Sequence, residues 1–333
     1  MFKLHLTDFL HIKMNILFIG YSSIVQKRVI PALSVIPSIT RVDVASLSSA
    51  SKISLPYKYK GEIFDDYDTA LAKSRADLVY ISTVNSKHAK WAEKALLRGF
   101  HVIVDKPAFT DFETTKNLAE LARKSGLCLS EATVYAFHPQ IQAIRNIYSE
   151  TKSGPTRLTA VFSFPPLKPD DFRYKKYLGG GALLDLGSYA VSVGRLFFGE
   201  EPEKVFCRIC SYGGSDNVET SFSMLAAYKG GRSMVGHFGF DTEYSNYLGL
   251  IGPTVYAAIE RIFTTPAEME NEIQVRHRNT CAVIKVPKAD SFSIYMQKVI
   301  EAVQGGDHKY LIENLLSDAR VLHRMRSAAL LKE

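Results

Sequence analysis

The sequence predicts an α/β protein: its N-terminal half is a doubly wound parallel sheet, and its C-terminal half is α+β with a mostly antiparallel, open-faced sheet. Three observations carry this. Short apolar runs alternate with helical stretches through the first half, as crossover units require. Those early runs are almost continuously apolar, as strands covered on both faces must be. Beyond about residue 154 the runs become β-branched and aromatic and are joined by short Gly-containing turns.

Residues 15–19 (NILFI) form the first apolar run, which stops at Gly20. Residues 25–33 read as the opening of a helix, in which Pro31 demands a turn or kink because it has no N–H. A second run ends at Ala45 and gives way to the polar SLSSASK. LVYIS (78–82) is a third strand, followed by the helical AKWAEKALLRG with Gly99 at its C-cap. HVIV (101–104) is a fourth strand, followed by DKPAF, and a helix over 114–124 precedes the strand LCLSEA. In the second half, 158–164, 205–212, 222–228 and 232–240 read as strands, with KGGR as a hairpin turn. A helix over 181–198 interrupts them, and 312–331 has Leu, Ala and Val at helical spacing. The expected organisation is an N-terminal extension (1–13) before Met14, a first domain (14–137), a second domain (138–311), and a C-terminal helix (312–333) packing back on the first domain.

With 333 residues, 46% hydrophobic and 23% charged, the chain has room for two sizeable cores. A net charge of +7 without any block of Lys and Arg argues against a nucleic-acid binder. No apolar stretch approaches the roughly 20 residues that cross a bilayer, and MFKLHLTDFLHIK lacks the apolar core of a signal peptide. Four cysteines fit a reducing, cytoplasmic setting. Cys207 and Cys210 form a C-x-x-C, but VFCRICSY reads as a strand, where residues three apart face opposite ways, so packing is expected there and no metal site. The apolar content of VFSF, FSMLAAY and MVGHFGF exceeds what one helix layer covers, which predicts a homo-oligomer.

Gly20-Tyr21-Ser22-Ser23-Ile24-Val25 stands where a Rossmann-type G-x-G-x-x-G loop would, between the first strand and the first helix. Gly20 makes the tight turn. Ser22, in place of the second glycine, is small enough for a pyrophosphate to approach, and Val25 loosens the closest helix–strand contact. Ser23 and Ile24 complete the loop. An NAD enzyme carries an acid at the end of the second strand, yet this strand ends Ala45-Ser46 and Asp43 comes too early. Ser46, Ser48 and Lys52 suit a 2′-phosphate, so NADP(H) is favoured over NAD(H).

Three further segments, in this order, tie the chain to a family: Thr83-Val84-Asn85-Ser86-Lys87-His88, Asp105-Lys106-Pro107, and LGGGALLDLGSYAV. Together with EATVYAFHPQ they resemble the glucose–fructose oxidoreductase/inositol dehydrogenase (Gfo/Idh/MocA) family over nearly all of 14–330. DFRYKKYLGGGALLDLGSYAV looks most like the branch that holds nucleotide-sugar 3-ketoreductases and dihydrodiol dehydrogenases.

The resemblance implies that Lys106 sits beside the nicotinamide and the substrate oxygen, with Asp105 replacing the usual Glu and Pro107 completing the motif. It implies that Thr83, Asn85 and His88 line the cofactor cleft. It also implies a substrate site made by Tyr135, His138, Phe172, Arg173, Gly181, Asp185 and Tyr189, with Ala136 where the family usually has Arg. Lys106, Tyr189 and Asp185 are the catalytic candidates. Reducing a ketone needs a proton at the developing alkoxide, and Lys and Tyr can each donate one or stabilise the oxyanion. Asp185 and Tyr189, four apart, share a helix face. The resulting expectation is hydride transfer between nicotinamide and a sugar or sugar-nucleotide carbonyl. Oxidation of a diol or free sugar, or a regulator that only senses the dinucleotide, are the alternatives.

Overall fold

The computed structural model describes residues 13–47, 53–56, 58–59, 61–151 and 154–330. Most of the expected N-terminal extension, together with Ser48 and Lys52, lies outside the described residues. The chain divides into two compact units, one reaching to Ala132 and including Phe292–Leu316, the other made of Thr133–Ser291 and the residues from Ser317 onward.

The first unit is built on six parallel strands: β1 (Met14–Ile19), β2 (Ile39–Ala45), β3 (Ile63–Phe64), β4 (Leu78–Ile81), β5 (His101–Val104) and β6 (Leu129–Glu131). Their order is β3-β2-β1-β4-β5-β6, the doubly wound arrangement expected. The helices are α1 (Ile30–Ala32), α2 (Tyr67–Lys73), α3 (His88–Leu97) and α4 (Phe112–Lys124). Strand side chains alternate between faces. Leu17, Ile19, Val79, Ile81, Val102 and Val104 share one core with Trp91, Leu96 and Leu118. Each such buried aliphatic side chain contributes about 1.5–3 kcal/mol relative to exposure.

Pro31 shapes the first helical segment. Having no N–H, it cannot bond four residues back. The chain from Val25 to Val29 instead winds as a π-helix, with the Ile30 amide donating to the Val25 carbonyl. Asp66 and Asp111 cap α2 and α4 by accepting the Thr69 and Thr114 amides.

The second unit begins with α5 (Pro139–Glu150) and β7 (Arg157–Ser163), followed by α6 (Ala182–Asp185) and α7 (Gly187–Phe198). Seven more strands follow: β8 (Lys204–Gly213), β9 (Val218–Ala227), β10 (Ser233–Gly239), β11 (Ser245–Ile251), β12 (Val255–Glu260), β13 (Asn271–His277) and β14 (Thr280–Val286). The eight-stranded sheet runs β14-β13-β12-β11-β7-β10-β9-β8. All its pairs are antiparallel except β7 with β10. Phe162, Phe222, Met224, Met234, Phe238 and Leu248 face a core shared with Leu183, Ala190 and Val193 of the helices. Cys207 and Cys210 lie on β8, the first half-buried and the second exposed. The strands β11 to β14 were absent from the sequence expectation. So was α8 (Ser291–Gln304), which nearly all belongs to the first unit. The final helix, α9 (Lys309–Leu330), supplies Ile312, Leu315 and Leu316 to the first core and Val321, Leu322 and Met325 to the second. Among the described residues no helix is long and apolar enough to cross a membrane.

Candidate functional site

In a doubly wound sheet, ligands bind beyond the carboxyl ends of the strands, where the strand order reverses. Here that point lies between β1 and β4. Gly20 leaves β1 with φ of 98°, and a Cβ there would sit 2.2 Å from the Ser82 carbonyl oxygen, so only glycine fits. Ser22 turns back on the helix start, its Oγ accepting the Val25 amide at 3.2 Å. Ser23 and Ile24 are exposed at the tip of the turn. Val25, where a Rossmann-type loop has its third glycine, is fully buried as the first π-helical residue. Backbone amides at such a turn suit a phosphate.

At the end of β2, Ser46 is buried and its amide donates to the Phe64 carbonyl. Asp43 is occupied structurally: its carboxylate accepts from the Glu62 amide at 2.8 Å and the Ser74 hydroxyl at 2.6 Å, and pairs with Arg41. It is therefore not the acid that would receive a ribose hydroxyl.

The turns after β4 and β5 are tied together by His88. Its Nε2 lies 3.0 Å from the Thr83 carbonyl, and its Nδ1 lies 3.0 Å from the Pro107 carbonyl and 3.2 Å from that of Ala108. The imidazole is buried, so it holds the two loops together and does not itself offer a ring face to a ligand. Asn85 is buried in the short turn just before it. Lys106 lies two residues beyond the end of β5, with a cis peptide to Pro107. Its neighbour Asp105 accepts from the Tyr80 hydroxyl at 2.5 Å and from the Ser82 hydroxyl. Burial raises the Asp105 carboxyl above its ordinary range, against the hydrogen bonds from Ser82 and Tyr80. Glu131 of β6 accepts the Ala108 amide at 2.8 Å and so braces the loop after Lys106. Sequence reasoning missed Tyr80 and Ser82. The available signal was two hydroxyls inside an otherwise apolar strand and its end, LVYIS.

The second unit gathers another group. Asp171 accepts the Arg173 amide and caps the short turn Phe172–Tyr174. The Arg173 guanidinium lies over the Phe172 ring, 4.8 Å from its centroid, and its Nε donates to Asp185 Oδ2 at 2.8 Å. Burial works against the Arg173 charge, but Asp185 and Asp171 outweigh it and hold the guanidinium above its usual pKa. Gly181 has φ of 105°, its amide donates to the Arg173 carbonyl at 2.9 Å, and a Cβ there would meet the Glu219 carboxylate.

One turn further on, Tyr189 is half-buried on α7, its ring 5.2 Å from Phe162, 5.3 Å from Phe263 and 5.6 Å from Tyr135. Tyr135 itself is buried, its hydroxyl 2.7 Å from Ser192 Oγ, so it supports the Tyr189 ring from within the core. His138 is buried and caps α5 by accepting the Gln140 amide at 3.2 Å. Arg173 thus ties Phe172, Gly181 and Asp185 together. Asp185 ends α6 while Tyr189 lies on α7 among aromatic rings, so the two do not lie on one helix as their spacing predicts, and His138 serves a helix end.

A glycine turn at a sheet switch point, with a lysine just beyond a strand's carboxyl end, is an arrangement that suits a dinucleotide-dependent oxidoreductase. Comparison with known proteins agrees. Residues 14–133 match the oxidoreductase family with an NAD-binding Rossmann fold, and residues 141–258 match the GFO/IDH/MocA C-terminal domain. A dTDP-3,4-didehydro-2,6-dideoxy-alpha-D-glucose 3-reductase of Actinomadura kijaniata is 29% identical over 313 residues, covering 93% of this chain and 94% of that protein. The enzyme of the same description from Saccharopolyspora spinosa is 30% identical over 273 residues, 82% of each chain. Among solved structures, a 3-ketoreductase from Actinomadura kijaniata in complex with NADP and TDP-benzene superposes with a TM-score of 0.89 at 28% identity, covering 95% of this chain and 98% of that one. The protein belongs to the Gfo/Idh/MocA family of oxidoreductases and acts on CH–OH or C=O groups with a nicotinamide cofactor.

Proposed function

We propose that this protein is an NADP(H)-dependent reductase of a keto-sugar carried on a nucleoside diphosphate, with Lys106 and Tyr189 handling the carbonyl oxygen. The observation that carries the reading is the similarity along 93% of the chain to a dTDP-keto-sugar 3-reductase. When bound, the nicotinamide supplies the hydride. The turn at Gly20, Ser22, Ser23 and Ile24 holds the pyrophosphate, and Thr83, Asn85, Asp105 and Pro107 shape the loops beside the cofactor. Tyr189 donates the proton, since a neutral phenol can give one up and recover it from water. Lys106 stabilises the developing oxyanion. Asp185 acts through Arg173 and the helix start, and Phe172 and Gly181 shape the substrate's surroundings.

The engagement of Asp43 by Glu62, Ser74 and Arg41 leaves the end of β2 without a ribose-binding acid, which supports NADP(H) over NAD(H). All four cysteines are free, which supports a reducing, cytoplasmic setting. The test is oxidation of NADPH and of NADH by purified protein with dTDP-linked 3-keto-sugars and with free sugars. Turnover of the linked substrate with NADPH is expected. Turnover of free sugars alone, or a clear preference for NADH, contradicts the reading.

A further inference from the structure

Side chains from three strand ends join across the switch point of the parallel sheet. Ser22 Oγ lies 2.7 Å from Ser82 Oγ, Ser82 is hydrogen-bonded to Asp105 Oδ2, and the Tyr80 hydroxyl reaches Asp105 Oδ1 at 2.5 Å. The direction of these bonds follows from counting protons. An ionised carboxylate only accepts, so Ser82 gives its single proton to Asp105, and Ser22 gives its own to Ser82. Ser22 also accepts the Val25 amide. In that state Ser22 has no proton left for a phosphate oxygen. With Asp105 protonated, the chain runs the other way: Asp105 donates to Ser82, Ser82 donates to Ser22, and the Ser22 proton points out of the chain.

We propose that Ser82 is a positioning residue that couples dinucleotide phosphate binding at Ser22 to the uptake of one proton by Asp105. This rests on the reading of residues 20–24 as the phosphate turn. The step balances without any change of oxidation state. A solvent hydronium gives a proton to Ser22 Oγ, the original Ser22 proton passes to Ser82, and the original Ser82 proton passes to Asp105 Oδ2. Three O–H bonds form, three break, and one water is left. The hop leaves every hydroxyl turned, so the new Ser22 proton faces the phosphate. A phosphate favours that arrangement over the other, and by linkage binding and protonation assist each other.

The surroundings suit Asp105 to this role. Burial favours its neutral form, against the bonds from Ser82 and Tyr80 and the charges of His88 and Lys106. The titratable groups facing it are Tyr80 on β4, His88 on α3, Lys106 next in the chain and Tyr295 on α8. Burial pushes both tyrosines far above their usual range, so they remain neutral donors. The His88 nitrogens face the carbonyls of Thr83, Pro107 and Ala108 and stand outside the hydroxyl chain.

The test is titration calorimetry of NADP+ binding at pH 7 in two buffers of different ionisation enthalpy, which counts the protons taken up. The 2′-phosphate contributes equally in every variant. Wild type should take up more protons than Ser82→Ala or Asp105→Asn, by up to about one proton per site, the number the coupling moves. Ser82→Thr, which keeps the hydroxyl, should match wild type. Equal counts in wild type, Ser82→Ala and Asp105→Asn would overturn the coupling while leaving the phosphate turn standing. Failure of wild type to bind NADP+ at all would overturn the phosphate turn itself.

Discussion

Arg173 and Asp185 are joined by a 2.8 Å bond from the guanidinium Nε to a carboxylate oxygen, four residues ahead of Tyr189 in the chain. Asp185 is nearly inaccessible and Arg173 largely covered, so neither charge can be exposed cheaply if its partner is lost. We expect Asp185→Ala to destabilise the second unit by about 3 kcal/mol, the range seen when one member of a buried pair is removed. Replacing both residues together should cost less than the sum of the single changes. Denaturant titration of the two single variants and the double variant measures this. Strict additivity would mean that the pair does not act as a unit.

The parallel sheet was legible because its strands are short apolar runs set between helices, and the turn after β1 because a glycine with positive φ leaves a clear mark. The second sheet was only half legible. β7 and β10 pair in parallel although about 70 residues separate them, and nothing local in either strand specifies that partner. β14, TCAVIKV, is exposed at every position but the last, so it has no buried face for a period-two pattern to report. At the site, the family motifs pointed to His88, Tyr135 and His138, but motif position does not reveal burial. Each of the three is buried: the His88 nitrogens and the Tyr135 hydroxyl face protein partners, and His138 accepts the Gln140 amide at Nδ1.

A pH dependence follows from His101. Its Nδ1 accepts the Cys128 amide at 2.9 Å, which a doubly protonated ring cannot do. Burial lowers its pKa, and His308, with its ring centre 5.6 Å away, adds repulsion. A folded-state pKa below the unfolded value of about 6.5 means the stability is complete above that pH and is lost as pH falls through the depressed value. The melting temperature should therefore drop between pH 7 and pH 5. His101→Gln, which keeps an acceptor but has no charge to gain, should show a shallower slope. An unchanged slope would assign the acid sensitivity to other groups.

The face of the second sheet opposite α7 carries an apolar row set by strand register. Phe206 pairs with Leu225, and Leu225 with Val235, and these side chains are 57%, 39% and 42% exposed. Three large apolar side chains in line on three neighbouring strands are a surface that association would cover. We expect a homo-oligomer through this face. Light scattering should give at least twice the 37.2 kDa chain mass at micromolar concentration. Leu225→Lys should yield monomers. A wild-type monomer would refute the assignment.

The proposed reaction requires Lys106 and Tyr189 to act on the same oxygen. Removing a group that serves only the transition state should lower kcat by on the order of 10²–10³ and leave cofactor binding intact. The measurement is single-turnover oxidation of bound NADPH by a dTDP-linked 3-keto-sugar, in wild type, Lys106→Ala and Tyr189→Phe, alongside NADPH affinity by fluorescence. The prediction is two variants that bind NADPH like wild type and transfer hydride at least a hundredfold more slowly. Full activity in Lys106→Ala would contradict the catalytic reading.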